Sequence, residues 1–181
     1  MTPEPEPELW EALLAAVPSL RAFAISLSGQ VDRADDLVQD TLLRALANLH
    51  RFEPGTNLNA WLFTILRNLF HSEYRKRRRE VEDPDGSYAG RLKVQPEQGS
   101  HLDFEDFRSA LANLPSDQRE ALLLVGASGF SYEEAAHICG CAVGTIKSRV
   151  NRARFRLASL LNVEDIDDLG PDSMTRAALQ G

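Results

Sequence analysis

The stretch Ser131-Tyr132-Glu133-Glu134-Ala135-Ala136-His137-Ile138-Cys139-Gly140-Cys141-Ala142-Val143-Gly144-Thr145-Ile146-Lys147-Ser148-Arg149-Val150 decides how this chain folds. Ser131 followed three residues later by Glu134 is the pattern of a capping box, so a helix begins there. Gly140 stops that helix. A second helix runs from about Val143 to Leu161. On it Ile146, Val150, Ala153, Leu157, Leu160 and Leu161 fall within one stripe at helical spacing. Two helices, a glycine turn, a small residue (Ala136) where they cross and an apolar stripe locking the second helix are what a helix-turn-helix requires.

The second helix is strongly basic. Residues 140–157 hold Lys147, Arg149, Arg152, Arg154 and Arg156 and no acidic residue. Thr145, Lys147, Ser148, Arg149 and Arg152 lie beside or opposite the stripe, where such groups reach phosphates and base edges in a major groove. A merely solvated charged face is the competing reading. The lack of diluting acid and the offset of the helix from the glycine turn oppose it. Phe155 lies opposite the stripe and has two open readings: packing on a neighbouring helix, or an exposed anchor for a protein partner. His137, Cys139 and Cys141 match no standard zinc spacing and have no fourth ligand nearby, so the cysteines are read as packing residues and no metal or cofactor is expected.

Upstream, Asp117-Gln118-Arg119-Glu120 reads as another capping box, with Asp117 as the cap and Glu120 reaching back. Its helix passes through Leu122 to Val125 and ends at Gly126 or Gly129. Before it, Phe104, Phe107, Leu111 and Leu114 mark a helix that starts near Asp103 and stops at Pro115. Asp83-Pro84-Asp85-Gly86, Gln95-Pro96 and Gln98-Gly99-Ser100 are turn signals without periodicity, so the segment before that helix reads as a flexible linker.

The N-terminal half is also helical. Leu9, Leu13 and Val17, then Leu20, Phe23, Ala24 and Leu27, predict two short helices broken at Pro18. Asp32 opens a helix to about Leu49, with Val38, Leu42, Ala45, Leu46 and Leu49 on its core face. Asp36, Asp40, Leu43 and Ala47 lie away from that face, with Arg44 beside them. An apolar Leu between acidic groups suggests a protein contact, against an ordinary solvated face. Arg51 to Asn59 is a loop. The next helix runs to about Arg79 and buries Leu58, Leu62, Ile65, Leu66 and Leu69. Its far side aligns Phe63, Arg67, His71, Tyr74 and Arg78 in one row, flanked by Thr64, Asn68 and Arg75. Aromatics supply stacking surface for unpaired bases and arginines neutralise phosphates. Asn57 and Asn59 add hydrogen-bonding groups beside that row.

Charge placement matters more than its total. The 181 residues carry a net charge of −7, which taken alone argues against a polyanionic partner. Residues 61–79 hold six basic groups against one acidic group, and residues 140–157 hold five against none. Each segment is thus +5, and the remainder carries −17. Two basic patches sit in an acidic frame. No apolar run approaches the roughly 20 residues of a membrane span, and the Pro/Glu-rich start lacks signal-peptide character. The two cysteines lie one residue apart, which fits a reducing compartment. No nucleophile–base pair stands out, so an enzyme is not expected.

Two helical blocks with these features resemble a bacterial RNA polymerase sigma factor of the extracytoplasmic-function group. The motifs are Asp35-Asp36-Leu37-Val38-Gln39-Asp40-Thr41, Asn59-Ala60-Trp61-Leu62-Phe63-Thr64-Ile65-Leu66-Arg67-Asn68, Leu114-Pro115 through Arg119-Glu120-Ala121-Leu122, and Ser131 to Ala136 continuing at Gly144 to Arg154. The resemblance spans about residues 9–161. The wording Glu133 to Thr145 is similar to the EcfG subgroup, which directs the general stress response.

The resemblance implies an all-α protein of two small domains. Residues 1–8 would be a disordered arm, 9–80 sigma domain 2, 81–102 the linker, 103–162 sigma domain 4 and 163–181 a loose acidic tail. It implies that Asp36, Gln39, Asp40, Leu43 and Arg44 contact the clamp helices of the polymerase β′ subunit, with the β subunit also a partner. Asn57, Asn59, Phe63, Arg67, His71, Tyr74, Arg75 and Arg78 would capture the −10 element, with a flipped base. Thr145, Lys147, Ser148, Arg149, Arg152 and Arg156 would read a GGAAC-like −35 element. Core RNA polymerase, promoter DNA and a NepR-type anti-sigma protein are the implied partners, with no small-molecule substrate, no membrane and a cytoplasmic location. A sigma-mimicking protein that only titrates an anti-sigma factor and a freestanding helix-turn-helix regulator are the alternatives.

Overall fold

The computed structural model describes residues 7–80 and 104–162, and within them every regular element is helical. Residues 1–6 of the arm, the linker and the acidic tail named above lie outside the described residues, whereas Pro7 and Glu8, expected in the arm, already belong to a helix. The chain forms two compact units. The first holds helices α1 (Pro7–Ser28), α2 (Val31–Ala47) and α3 (Leu58–Glu80), with a short 3-10 turn at Leu49–Arg51. The second holds α4 (Phe104–Ala112), α5 (Ser116–Leu122), a wide π-type turn at Leu123–Ala127, α6 (Tyr132–Cys139) as far as Ala136, and α7 (Val143–Leu161), with His137–Gly140 grouped with the first.

In the first unit, α1 is one continuous helix through Pro18, which corrects the expected break. A proline inside a helix costs about 3 kcal/mol, because the Leu14 carbonyl loses its amide donor. Pro18 and Leu14 both face solvent, so water can satisfy that carbonyl. Meanwhile Leu13, Ala16, Leu20, Phe23 and Leu27 are buried at alternating spacings of three and four, and this unbroken seam outweighs the local cost. At 22 residues α1 is, by length and composition alone, long and apolar enough to cross a membrane, although no apolar run of that length is expected from the sequence. Its buried seam is what a core helix needs.

α2 and α3 complete the core with Ala34, Leu37, Val38, Leu62, Phe63 and Leu66. Thr41 is fully buried, and its hydroxyl donates to the Leu37 carbonyl at 2.6 Å, so that hydroxyl is not stranded. An exposed ion pair, Arg21 Nε to Asp35 Oδ1 at 2.6 Å, links α1 to α2 and raises the Arg21 pKa.

In the second unit the Ser131 capping box forms as read. The Ser131 amide donates to Glu134 Oε2 at 2.9 Å, and the Glu134 amide donates to Ser131 Oγ at 3.1 Å. α6 closes where Gly140 takes φ +64°. The Cys141 amide then reaches the Ala136 carbonyl at 3.0 Å and the Gly140 amide the His137 carbonyl at 3.2 Å, the paired bonds of a Schellman motif. Ile146, Val150, Ala153 and Leu157 of α7 are buried, as the stripe predicts, whereas Leu160 remains 44% exposed.

The second expected capping box does not form. α5 is capped by Pro115 with no side-chain cap bond, and Asp117 lies inside the first turn. Glu120 is buried.

Candidate nucleic-acid interface

On α7, Lys147, Arg152 and Arg156 are exposed, while Thr145, Ser148 and Arg149 are half-buried. Of the half-buried three, Arg149 is held by neighbours in its own unit. Arg149 Nε lies 3.3 Å from Asp117 Oδ2, and Arg149 Nη1 lies 3.9 Å from Cys141 Sγ. Asp117 therefore joins the two helices instead of capping its own. Lys147 holds its ammonium 5.8 Å from the centre of the Tyr132 ring, a cation–π contact from α7 to the start of α6. The result is a face whose cations are partly pre-positioned by the rest of its unit. Phe155 is 64% exposed, so it is not packed against a neighbouring helix. His137 is exposed, Cys139 buried and Cys141 half-buried. Among the described residues no three histidine, cysteine or acidic side chains are grouped to hold a metal.

On α3 the expected row divides. Phe63 is only 1% exposed, and its ring centre lies 5.1 Å from that of Phe23 on α1. It is a core residue, which corrects its assignment to a base-stacking surface. α3 packs against both α1 and α2, so its buried arc is wider than a single stripe and takes in Phe63 beside Leu62 and Leu66. Further along, Arg67 and His71 are half-buried, and Tyr74, Arg75 and Arg78 are exposed.

The stacked aromatic there is one that sequence reading passed over. Phe70 stacks on Tyr74 with ring centres 6.4 Å apart and meets His71 edge-on at 5.4 Å. The Arg33 guanidinium of α2 lies 5.4 Å from the Phe70 ring centre. The periodicity that marks a buried residue at Leu66 and Leu69 gives no sign of this inter-helix stack. Trp61 likewise meets Phe52 from the preceding loop, 5.3 Å apart. Asn59 is exposed, whereas Asn57 works locally, its Oδ1 accepting the Ala60 amide at 3.2 Å. That bond caps α3.

α2 presents Asp36, Gln39, Asp40, Leu43 and Arg44, all exposed, with Leu43 at 59%. Asp36, Gln39 and Asp40 line an open cleft with Arg33 and with Glu73, Lys76 and Arg77 of α3. Acids of one helix thus border bases of the other. Arg33 lies 3.7 Å from Glu73 and has buried nitrogens without hydrogen-bond partners. Burial lowers its pKa, with nearby Arg77 adding to the effect and Glu73 opposing it. Arginine still remains protonated at neutral pH.

Comparison with known proteins accounts for this arrangement. Residues 13–80 match the family described as Sigma-70 region 2, and residues 104–157 match Sigma-70, region 4. The chain is 73% identical over 173 residues to the ECF RNA polymerase sigma factor EcfG of Rhodopseudomonas palustris strain TIE-1, covering 96% of each. Among solved structures, it matches the sigma factor RpoE of Bartonella quintana, crystallised with the anti-sigma factor NepR. That match has a TM-score of 0.77 and 59% identity, covering 87% of this chain and 99% of that one. PhyRSL of Sphingomonas sp. Fr1, in its complex with NepR, matches with a TM-score of 0.64 over 87% of this chain and 91% of that one. At 20% identity this is a likeness of fold.

Proposed function

The chain belongs to the extracytoplasmic-function RNA polymerase sigma factors, and from that premise we propose how its surfaces divide the work of promoter-specific initiation. Residues 9–80 act as the polymerase- and −10-binding domain, and residues 103–162 as the −35-binding domain. Asp36, Gln39, Asp40, Leu43 and Arg44 dock on the β′ clamp helices. Their exposure along one side of α2 supports this, as does the apolar Leu43 in their midst.

The −10 element is handled by Asn59, Arg67, His71, Tyr74, Arg75 and Arg78, with Asn57 holding the start of α3. Phe63 is not in this set. The Phe70–Tyr74 stack gives an unpaired base an aromatic platform whose outer ring is exposed, and the arginines beyond it neutralise phosphates. Thr145, Lys147, Ser148, Arg149, Arg152 and Arg156 read a GGAAC-like −35 element in the major groove.

The observation that carries this reading is the α7 face. Three exposed cations stand on a helix locked by a capping box, a glycine turn and the Asp117–Arg149 pair. As an initiation factor the chain does no bond-making of its own, and it works in the cytoplasm beside the polymerase.

Regulation follows from its relatives. RpoE of Bartonella quintana is bound by NepR, and its 59% identity supports a NepR-type anti-sigma partner here and a place in the general stress response. The sigma-mimicking alternative has support at the level of fold alone. A test is retention of a labelled GGAAC-type promoter fragment by core polymerase. The intact chain should permit specific retention, and added NepR-type protein should abolish it. Specific retention without this chain, or insensitivity to NepR, would count against the reading.

A further inference from the structure

We propose that the C-terminal segment, residues 163–181, docks back on the outer face of α7 and there competes with DNA. The receiving surface is built from Arg152, Arg156, Phe155 and Leu160. Arg152, Arg156 and Leu160 follow one another at intervals of four and Phe155 stands beside Arg152, so the two arginines form a cationic ridge with Phe155 on its outer flank and Leu160 on the flank nearer the buried stripe. Both apolar members are exposed, Phe155 at 64% and Leu160 at 44%, and so are both arginines. A large aromatic left in water beside a ridge of two cations suits an occupant that is both apolar and acidic.

The chain carries such a segment immediately downstream. Val163-Glu164-Asp165-Ile166-Asp167-Asp168-Leu169 places an apolar residue at every third position and four acids between them, with no basic residue before Arg176. Its apolar side chains suit Phe155 and Leu160, and its carboxylates suit Arg152 and Arg156. The exit geometry favours a return. α7 ends at Leu161, and Asn162 takes the left-handed conformation, φ 52° and ψ 37°, which turns the chain off the helix axis. Phe155 lies about 10 Å back along that axis, at 1.5 Å per residue. Seven extended residues reach about 23 Å. A tether this short holds its end at an effective concentration of order millimolar, so even a weak contact is populated.

The tail and the DNA backbone then seek the same two arginines. Free, the chain shields its own DNA-reading helix. Promoter DNA presented on polymerase displaces the tail.

The test compares the full chain with a form ending at Asn162, using backbone amide NMR and anisotropy of a short labelled GGAAC duplex. The docked tail should shift the amides of Phe155, Arg156 and Leu160 relative to the truncated form, and high salt should erase the difference. Truncation should tighten duplex binding several-fold. Phe155→Ala in the full chain should recover part of that gain, and in the truncated chain should recover nothing. The proposal is overturned if truncation tightens binding while the α7 amides stay still and Phe155→Ala has no effect, because the acids then only repel DNA. It is also overturned if the shifts depend on protein concentration, which would put the tail on a second copy. The absence of any change overturns it outright. The amide measurement contains no DNA, so it stands apart from the proposed −35 role of α7.

Discussion

Asp117 Oδ2 on α5 lies 3.3 Å from Arg149 Nε on α7, so a residue outside the reading helix steadies a cation within it. The Arg149 side chain is 25% exposed and that of Asp117 50%, which makes the pair a positioning contact rather than a buried charge couple. Screening by solvent keeps its contribution small.

Arg149→Ala should weaken binding to a matched −35 duplex by about 1–3 kcal/mol, the cost of a lost base contact. Asp117→Ala should cost less, about 0.2–1 kcal/mol, because the guanidinium remains but loses its anchor. Duplex binding by fluorescence anisotropy checks both. Equal losses at a matched and a scrambled site would show that Arg149 touches only phosphate.

Phe63 and Tyr74 should part company. Phe63→Ala removes a ring packed on Phe23 and should destabilise the fold by about 3–5 kcal/mol. Tyr74→Ala should leave thermal unfolding nearly unchanged and weaken binding of −10 single strand by about 1–3 kcal/mol. Calorimetry and strand-binding assays on the two variants separate core from surface. A stable Phe63→Ala protein would contradict the burial.

Ser131→Ala removes the acceptor for the Glu134 amide and should cost about 0.5–2 kcal/mol of stability. Gly140→Ala, forced into φ +64°, should cost a similar amount or more. Denaturant melts of the two variants would reveal this, and an unchanged midpoint in either would argue that the turn rearranges.

Leu43→Ala and Asp40→Ala alter exposed side chains on α2 and should shift stability by less than about 0.5 kcal/mol. If they sit at the centre of the clamp contact, each should weaken core-polymerase binding by about 1 kcal/mol or more. Pull-down against purified core polymerase, beside duplex binding that stays constant, distinguishes a docking loss from a folding loss.

Much of this was legible in the chain because it is written locally. The Ser131–Glu134 box, the Gly140 turn and the buried stripe of α7 are contacts among residues a few positions apart, and periodicity reports them directly. The all-α architecture and both basic segments follow from the same local signals. What escaped is non-local. Phe63 looked exposed because a single stripe was assigned to α3, whereas α3 packs on two helices. Pro18 looked like a break because propensity was weighed without the buried seam that overrides it. Asp117 looked like a cap because its distant partner, Arg149, is not visible by spacing. Phe70 and Arg33 come together only when α2 and α3 pack. The −7 net charge misleads for a related reason, since it averages two basic surfaces with an acidic remainder.

Run-off transcription by purified core polymerase tests the central claim most directly. With this chain added, the account predicts a transcript from a GGAAC-type promoter that is lost when the −35 element is scrambled, falls sharply with Arg149→Ala and disappears with a NepR-type protein. Polymerase that binds the chain yet makes no transcript from that promoter, or makes it equally from the scrambled one, would contradict it.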